Sequence, residues 1–149
     1  MKRLLVVDDV QLFRAGLSSA LGDAGFYFVA EAGSAEAAVS HAVEDQGDLV
    51  LVDFLMPGIS GVEVVEKITA VAPDSSVVLL TASESEEDLL VGVKAGARGY
   101  VTKDAPFDDL VSALDAVESS GAAVSPNMAR KLLEVTRQLL RHQYLLQSR

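Results

Sequence analysis

Short apolar runs rich in Val and Leu alternate with longer stretches of helical period along the first 120 residues. This alternation restricts the chain to a mostly parallel sheet covered by helices on both faces, that is, to an α/β fold. Strands are expected near 3–8, 26–32, 48–53, 76–81 and 98–102, and helices near 11–23, 35–45, 61–72, 86–96 and 107–119. Ser34, Ser60 with Glu63, and Ser85 with Asp88 read as helix N-caps, the Ser60 pair as a capping box, while Gly25, Gly47 and Gly96 fit the helix stops.

Right-handed crossovers with helices on both sides favour a flavodoxin-like, doubly wound five-stranded sheet in the order 2-1-3-4-5, with strands 1 and 3 at the switch point. In such a sheet the carboxyl ends of all strands share one edge, where ligands bind. Four segments place polar groups there: Val6-Val7-Asp8-Asp9, Leu51-Val52-Asp53, Leu79-Leu80-Thr81 and Tyr100-Val101-Thr102-Lys103. Each group has an ordinary reading by itself. An acidic pair is usually solvated, Asp53 can cap the turn at Phe54-Leu55-Met56-Pro57-Gly58 in which Pro57 fixes φ, Thr81 is a common strand residue, and a surface lysine keeps a protein soluble. Their conjunction on one edge is different. Asp8, Asp9 and Asp53 repel one another unless a cation sits among them, and a hard divalent ion with oxygen ligands, Mg²⁺, meets that need. With Lys103 and Thr81 able to receive an oxyanion, the set points to phosphoryl chemistry on Asp53.

Composition narrows the classes further. The chain has 149 residues and no cysteine, which excludes disulfides and thiolate metal sites. The apolar stretch after Met1-Lys2-Arg3 is too short for a signal peptide, and no run approaches membrane-spanning length, so a cytoplasmic protein with no membrane partner is expected. Residues 1–120 hold 7 Lys and Arg against 21 Asp and Glu, a net −14, whereas residues 121–149 carry +4. An acidic body is repelled by nucleic acid, so no sequence-specific DNA binding is expected of this chain alone. From Gly121-Ala122-Ala123 the composition shifts, and Ser125-Pro126 reads as an N-cap and first-turn proline opening an extra C-terminal helix over about 126–146. Leu132, Leu139 and Leu146 recur every seven residues beside Met128, Val135 and Leu140. That amphipathic stripe needs a cover. The twin helix of a second chain, giving a homodimer, is the expected one, with packing back onto the chain's own body as the alternative.

Taken in order, these motifs resemble the receiver domain of two-component response regulators over about residues 3–120. The resemblance implies that Asp53 accepts a phosphoryl group from a sensor histidine kinase. It also implies that Asp8, Asp9, Asp53 and the Leu55 backbone carbonyl bind Mg²⁺, and that Lys103 contacts the phosphoryl group. Thr81 and Tyr100 match the family's switch pair: Thr81 moves toward the phosphoryl oxygens, the Tyr100 ring turns inward from a half-buried resting position, and the face built by the fourth helix, fifth strand and fifth helix changes. The chain would thus be a signalling domain that assists its own phosphorylation and dephosphorylation, not an enzyme. The segments from Gly96 to Ala105 and from Ser125 to Leu133 are similar to the LuxR/NarL-type branch, whose members normally continue into a helix-turn-helix. Here one helix's worth of sequence follows Glu134, so a receiver over 1–120 with a linker and amphipathic helix over 121–149 is expected to lack that output domain.

Two departures stand out: Val10 and Gln11 replace the polar residue and proline often found after the acidic pair, and Asp104 follows Lys103 where many receivers have proline. Two other functions compete with a free-standing receiver. One is the receiver-plus-linker part of a DNA-binding transcriptional regulator. The other is a Mg²⁺-dependent aspartyl-phosphate phosphohydrolase of the haloacid dehalogenase type, in which a second aspartate normally stands two residues after the nucleophile; Leu55 stands there.

Overall fold

The computed structural model describes residues 2–45, 48–56, 59–82, 85–124 and 126–147. The expected stop at Gly47, the Pro57-Gly58 turn, the cap at Ser125 and the side chain of Ser60 lie outside what is described. The elements run β1 (Lys2–Val7), α1 (Gln11–Asp23), β2 (Phe26–Ala32), α2 (Ala35–Asp45), β3 (Leu49–Asp53), a short antiparallel pair β4 (Leu55–Met56) and β5 (Ile59–Ser60), α3 (Gly61–Val71), β6 (Ser76–Thr81), α4 (Glu86–Ala95), β7 (Gly99–Thr102), α5 (Phe107–Ser120), β8 (Ala123–Val124) and α6 (Pro126–Gln147). The main sheet is parallel throughout, in the order β2-β1-β3-β6-β7-β8. Its five long strands follow the expected doubly wound order, with β1 and β3 adjacent at the switch point.

Successive strand residues face opposite sides, so one sheet feeds two cores. Leu5, Val7, Val50, Val52, Val77, Leu79 and Tyr100 pack on the side of α2, α3 and α4. Leu4, Val6, Leu49, Leu51, Val78, Leu80 and Val101 pack on the side of α1 and α5. Ser34 and Ser85 cap α2 and α4 as expected, their hydroxyls accepting from the amides of Ala37 and Asp88, each at 3.2 Å. Gly96, at φ 113°, ends α4 in the left-handed region that glycine adopts without penalty.

The region after α5 differs from expectation. Residues 121–124 read as linker, yet Gly121 at φ 87° turns the chain so that Ala123 N donates to Arg98 O at 3.0 Å, and β8 becomes a sixth, edge strand beside β7. The C-terminal helix then divides into two parts. Met128 is 1% exposed inside the same core as Tyr100 and Leu89, and Leu132 packs half-buried against it. Beyond that point the helix runs off the body: Leu133, Leu139, Leu140, Tyr144, Leu145 and Leu146 are all exposed. The alternative packing therefore holds for the first turns of α6, and the distal turns keep an uncovered apolar surface.

Met128→Ala is expected to lower stability by about 2–5 kcal/mol, the usual range for emptying a buried site of that size. Leu12→Ala, at an 84% exposed position of α1, should stay within about 0.5 kcal/mol. Urea unfolding of the two variants checks the difference, and equal midpoints would detach α6 from the core.

Candidate functional site

Asp8 follows the last residue of β1 and Asp53 ends β3, so adjacent strands deliver both carboxylates to one edge. Backbone bonds hold each in place. Asp8 N donates to Ala32 O at 3.0 Å, and the Val10 amide donates back to Asp8 Oδ1 at 2.8 Å, fixing the carboxylate's orientation. After Asp53, Phe54 N donates to Leu80 O at 2.9 Å and Phe54 O accepts from Gly61 N at 3.0 Å, which ties the start of the loop to β6 and to α3. Lys103 follows β7, its amide donating to Thr81 O at 2.6 Å.

Asp8, Asp9 and Asp53 each present a carboxylate oxygen, and these oxygens lie within 4.8 Å of one another. Asp8 and Asp53 are buried, at 1% and 4% exposure, while Asp9 is open to solvent. Lys103 Nζ lies 3.3 Å from Asp53 Oδ1 and 3.9 Å from Asp8 Oδ2, and also 4.8 Å from the centre of the Phe13 ring, whose π face helps to hold the ammonium. The carboxylates outnumber the one ammonium. Asp8 Oδ2 is buried without a hydrogen-bond donor, an arrangement that is costly unless a cation completes it. The donor set, all hard oxygens with one orphaned and buried, fits a divalent ion such as Mg²⁺. Leu55, the fourth expected ligand through its carbonyl, opens β4 two positions past Asp53.

Thr81 closes β6 and is fully buried. Tyr100, expected half-buried, is only 2% exposed. Its ring stands edge-on to Phe54, centroids 6.3 Å apart, and its hydroxyl hydrogen-bonds with the Thr81 side chain. On α4 the ring lies against Gly92, where a Cβ would clash with Leu79 Cδ1 at 2.7 Å and stand at ordinary contact, 3.6 Å, from Tyr100 Cδ2 and Cε2. Burial pushes the Tyr100 phenol above its ordinary value of 10.0; the Thr81 hydrogen bond works against that shift and the Asp88 charge adds to it. No cis peptide bond occurs among the described residues, so the bond from Lys103 to Asp104 is trans.

Sequence reasoning thus named the polar groups and missed their supports. Gly61 is one: a Cβ there would meet Phe54 O at 2.6 Å, Phe54 Cα at 2.7 Å and Asp53 O at 2.9 Å. A glycine opening a helix just after a candidate acceptor loop was the available signal. Phe13 offered none, since nothing local distinguishes it from other apolar positions of α1.

Among known proteins, the family model for the response regulator receiver domain matches residues 4–115. The response regulator GacA of Pseudomonas viridiflava is 38% identical over 133 residues, covering 89% of this chain and 62% of that protein. The response regulator UvrY of Escherichia coli (strain K12) is 35% identical over 133 residues, with 89% and 61% covered. The crystal structure of a LuxR-family two-component response regulator from Aurantimonas sp. SI85-9A1 superposes with a TM-score of 0.83 at 30% identity, covering 90% of this chain and 96% of that one. The chain spans about three-fifths of the length of the curated relatives it matches.

Two outcomes follow from the geometry. Gly61→Ala should cost about 1–3 kcal/mol, because the clash is with backbone and cannot be relieved by a rotamer change; denaturant titration checks it. A folded-state phenol raised above its unfolded value leaves stability intact below pH 10 and removes it as pH climbs through the folded value. Stability of the native chain should therefore fall above pH 10 more steeply than that of Tyr100→Phe, and parallel curves in the two proteins would contradict the burial of this hydroxyl.

Proposed function

The chain belongs to the response regulator receiver domain family of two-component signalling, and on that premise we propose that it takes a phosphoryl group from a histidine kinase onto Asp53 and answers by altering a protein-binding surface. The observation that supports this most is the convergence of Asp8, Asp9 and Asp53 within 4.8 Å, with Lys103 Nζ 3.3 Å from Asp53 Oδ1. An Asp53 carboxylate oxygen attacks phosphorus, the bond from phosphorus to the donor's imidazole nitrogen breaks, and that nitrogen keeps the electron pair. Lys103, held between Asp53 and the Phe13 face, offsets charge on the transferring group and on the new acyl phosphate. Mg²⁺, when bound by Asp8, Asp9, Asp53 and the Leu55 carbonyl, supplies further charge neutralisation to the phosphoryl oxygens. The same groups assist later hydrolysis, which makes the domain a participant in its own phosphorylation and dephosphorylation.

The readout runs through Thr81 and Tyr100. A phosphoryl group on Asp53 adds strong acceptor oxygens, and the buried Thr81 hydroxyl, at the end of the neighbouring strand β6, turns toward them. That movement breaks its bond with the Tyr100 hydroxyl, and the ring, packed between Phe54 and Gly92, carries the change to the face of α4, β7 and α5. We assign residues 1–120 to the receiver and 121–149 to a segment that joins the sheet edge through β8 and continues as α6. The exposed distal turns of α6, in which Leu139 and Leu146 keep the seven-residue spacing, pair with a second copy in a homodimer. Specific DNA binding is not assigned to this chain, whose receiver carries −14. Among the described residues no helix is long and apolar enough to cross a membrane, and no membrane partner is proposed. A cytoplasmic setting, where sensor kinases present their phosphoryl groups, belongs to the same proposal.

Incubation with Mg²⁺ and a small phosphodonor should add one phosphoryl group by intact-mass spectrometry, and Asp53→Asn should add none. Equal labelling of the variant would remove Asp53 from the role. Leu139→Glu combined with Leu146→Glu should give a folded monomer by light scattering, whereas a retained dimer would place the interface off the distal helix.

A further inference from the structure

Arg14 reaches from α1 back across the edge of the sheet to the site without presenting itself to the cluster of carboxylates. Its Nη1 donates to the backbone carbonyl of Asp8 at 2.6 Å, and its Nε lies 3.4 Å from Glu31 Oε1, near the end of β2. The side chain is 16% exposed. Space for the guanidinium exists because residue 33 is glycine, where a Cβ would stand 3.0 Å from Nη1. Three elements therefore meet on one planar group: the end of β1, the end of β2 and the first turns of α1.

Each other handle on Asp8 is already defined. Its amide is held by Ala32 O, its Oδ1 by the Val10 amide, and its Oδ2 is the buried atom that lacks a donor. The carbonyl bonded to Arg14 belongs to the peptide that joins Asp8 to Asp9. Fixing that peptide sets the direction in which Asp9 leaves the strand. Asp9 is the exposed member of the acidic triad and has no buried packing to orient it otherwise.

We propose that Arg14 is a positioning residue for cation binding: by clamping the Asp8–Asp9 peptide it holds the Asp9 carboxylate where Asp8 and Asp53 can share an ion with it. The proposal rests on the reading of this site as a Mg²⁺ site. Charge alone predicts the opposite effect, because a guanidinium beside the site repels a divalent cation, so removing it would tighten binding. The sign of the change thus separates positioning from screening.

The test is Mg²⁺ titration of the full chain by calorimetry, which needs no phosphoryl transfer. Arg14→Met should raise the Mg²⁺ dissociation constant about 10- to 100-fold, the range for loss of a group that orients metal ligands. Arg14→Lys keeps the charge and loses the planar fork, and should weaken binding in the same direction. Placed in an Asp9→Asn background, Arg14→Met should lose most of its effect, since the carboxylate it aims is gone. Should Arg14→Met fail to fold by circular dichroism, Gly33→Val displaces the guanidinium while leaving arginine in place and should weaken binding likewise. Unchanged or tighter binding in a folded variant, full rescue by lysine, or an undiminished effect in the Asp9→Asn background would overturn the role of Arg14. A native chain that binds no Mg²⁺ would overturn the site reading instead.

Discussion

Two carboxylates, Asp8 and Asp53, are withdrawn from water beside a third, with one ammonium to balance them and one buried oxygen left without a donor. Such an arrangement raises the free energy of the resting protein, because like charges close together in a poorly solvated edge repel. It persists because the remainder of the fold over-determines it. β1 and β3 are adjacent at the switch point, both are buried on both faces, and a one-residue slip in either would turn its apolar side chains to the wrong core. Packing therefore sets the positions of the charges, and the charges set what can bind.

The same packing joins the site to the elements around it. Phe54 follows Asp53 and meets the Tyr100 ring, and Tyr100 shares its core with Leu89 of α4 and Met128 of α6. The Tyr100 hydroxyl hydrogen-bonds with Thr81, at the end of the strand next to the one that carries Asp53. A change at Asp53 thus has two contacts to one aromatic ring, one through Phe54 and one through Thr81. The covering elements on that side, β8 and the first turns of α6, are held by a two-residue ladder and a few apolar side chains.

Most of the architecture was legible because its signals are local. Val- and Leu-rich runs such as Leu4 to Val7 and Leu49 to Val52 carry the burial pattern of strands covered on both sides, and Ser34 and Ser85 carry the chemistry of helix starts. The site's polar groups were legible for a related reason: topology fixes which strand ends meet, and each end displays its own residue. What was hidden depends on contacts across space. Ala123 and Val124 become a strand only because Gly121 turns the chain onto β7, and two residues carry no period. Tyr100 is buried because Phe54 and Leu89 from other elements pack in its core, and Met128 because its helix lands on that same core. Arg14 reads as one more helix-surface cation until its guanidinium is found on the Asp8 carbonyl.

The phosphoryl chemistry requires that Asp8, Asp9 and Asp53 act together as one cation site. Crystals of the chain grown with Mn²⁺ in place of Mg²⁺ and measured at the manganese absorption edge test this directly. A single anomalous peak bounded by carboxylate oxygens of Asp8, Asp9 and Asp53 is the predicted result. No peak there, or manganese held elsewhere while those three carboxylates stay clear of it, would show that they do not form a shared cation site.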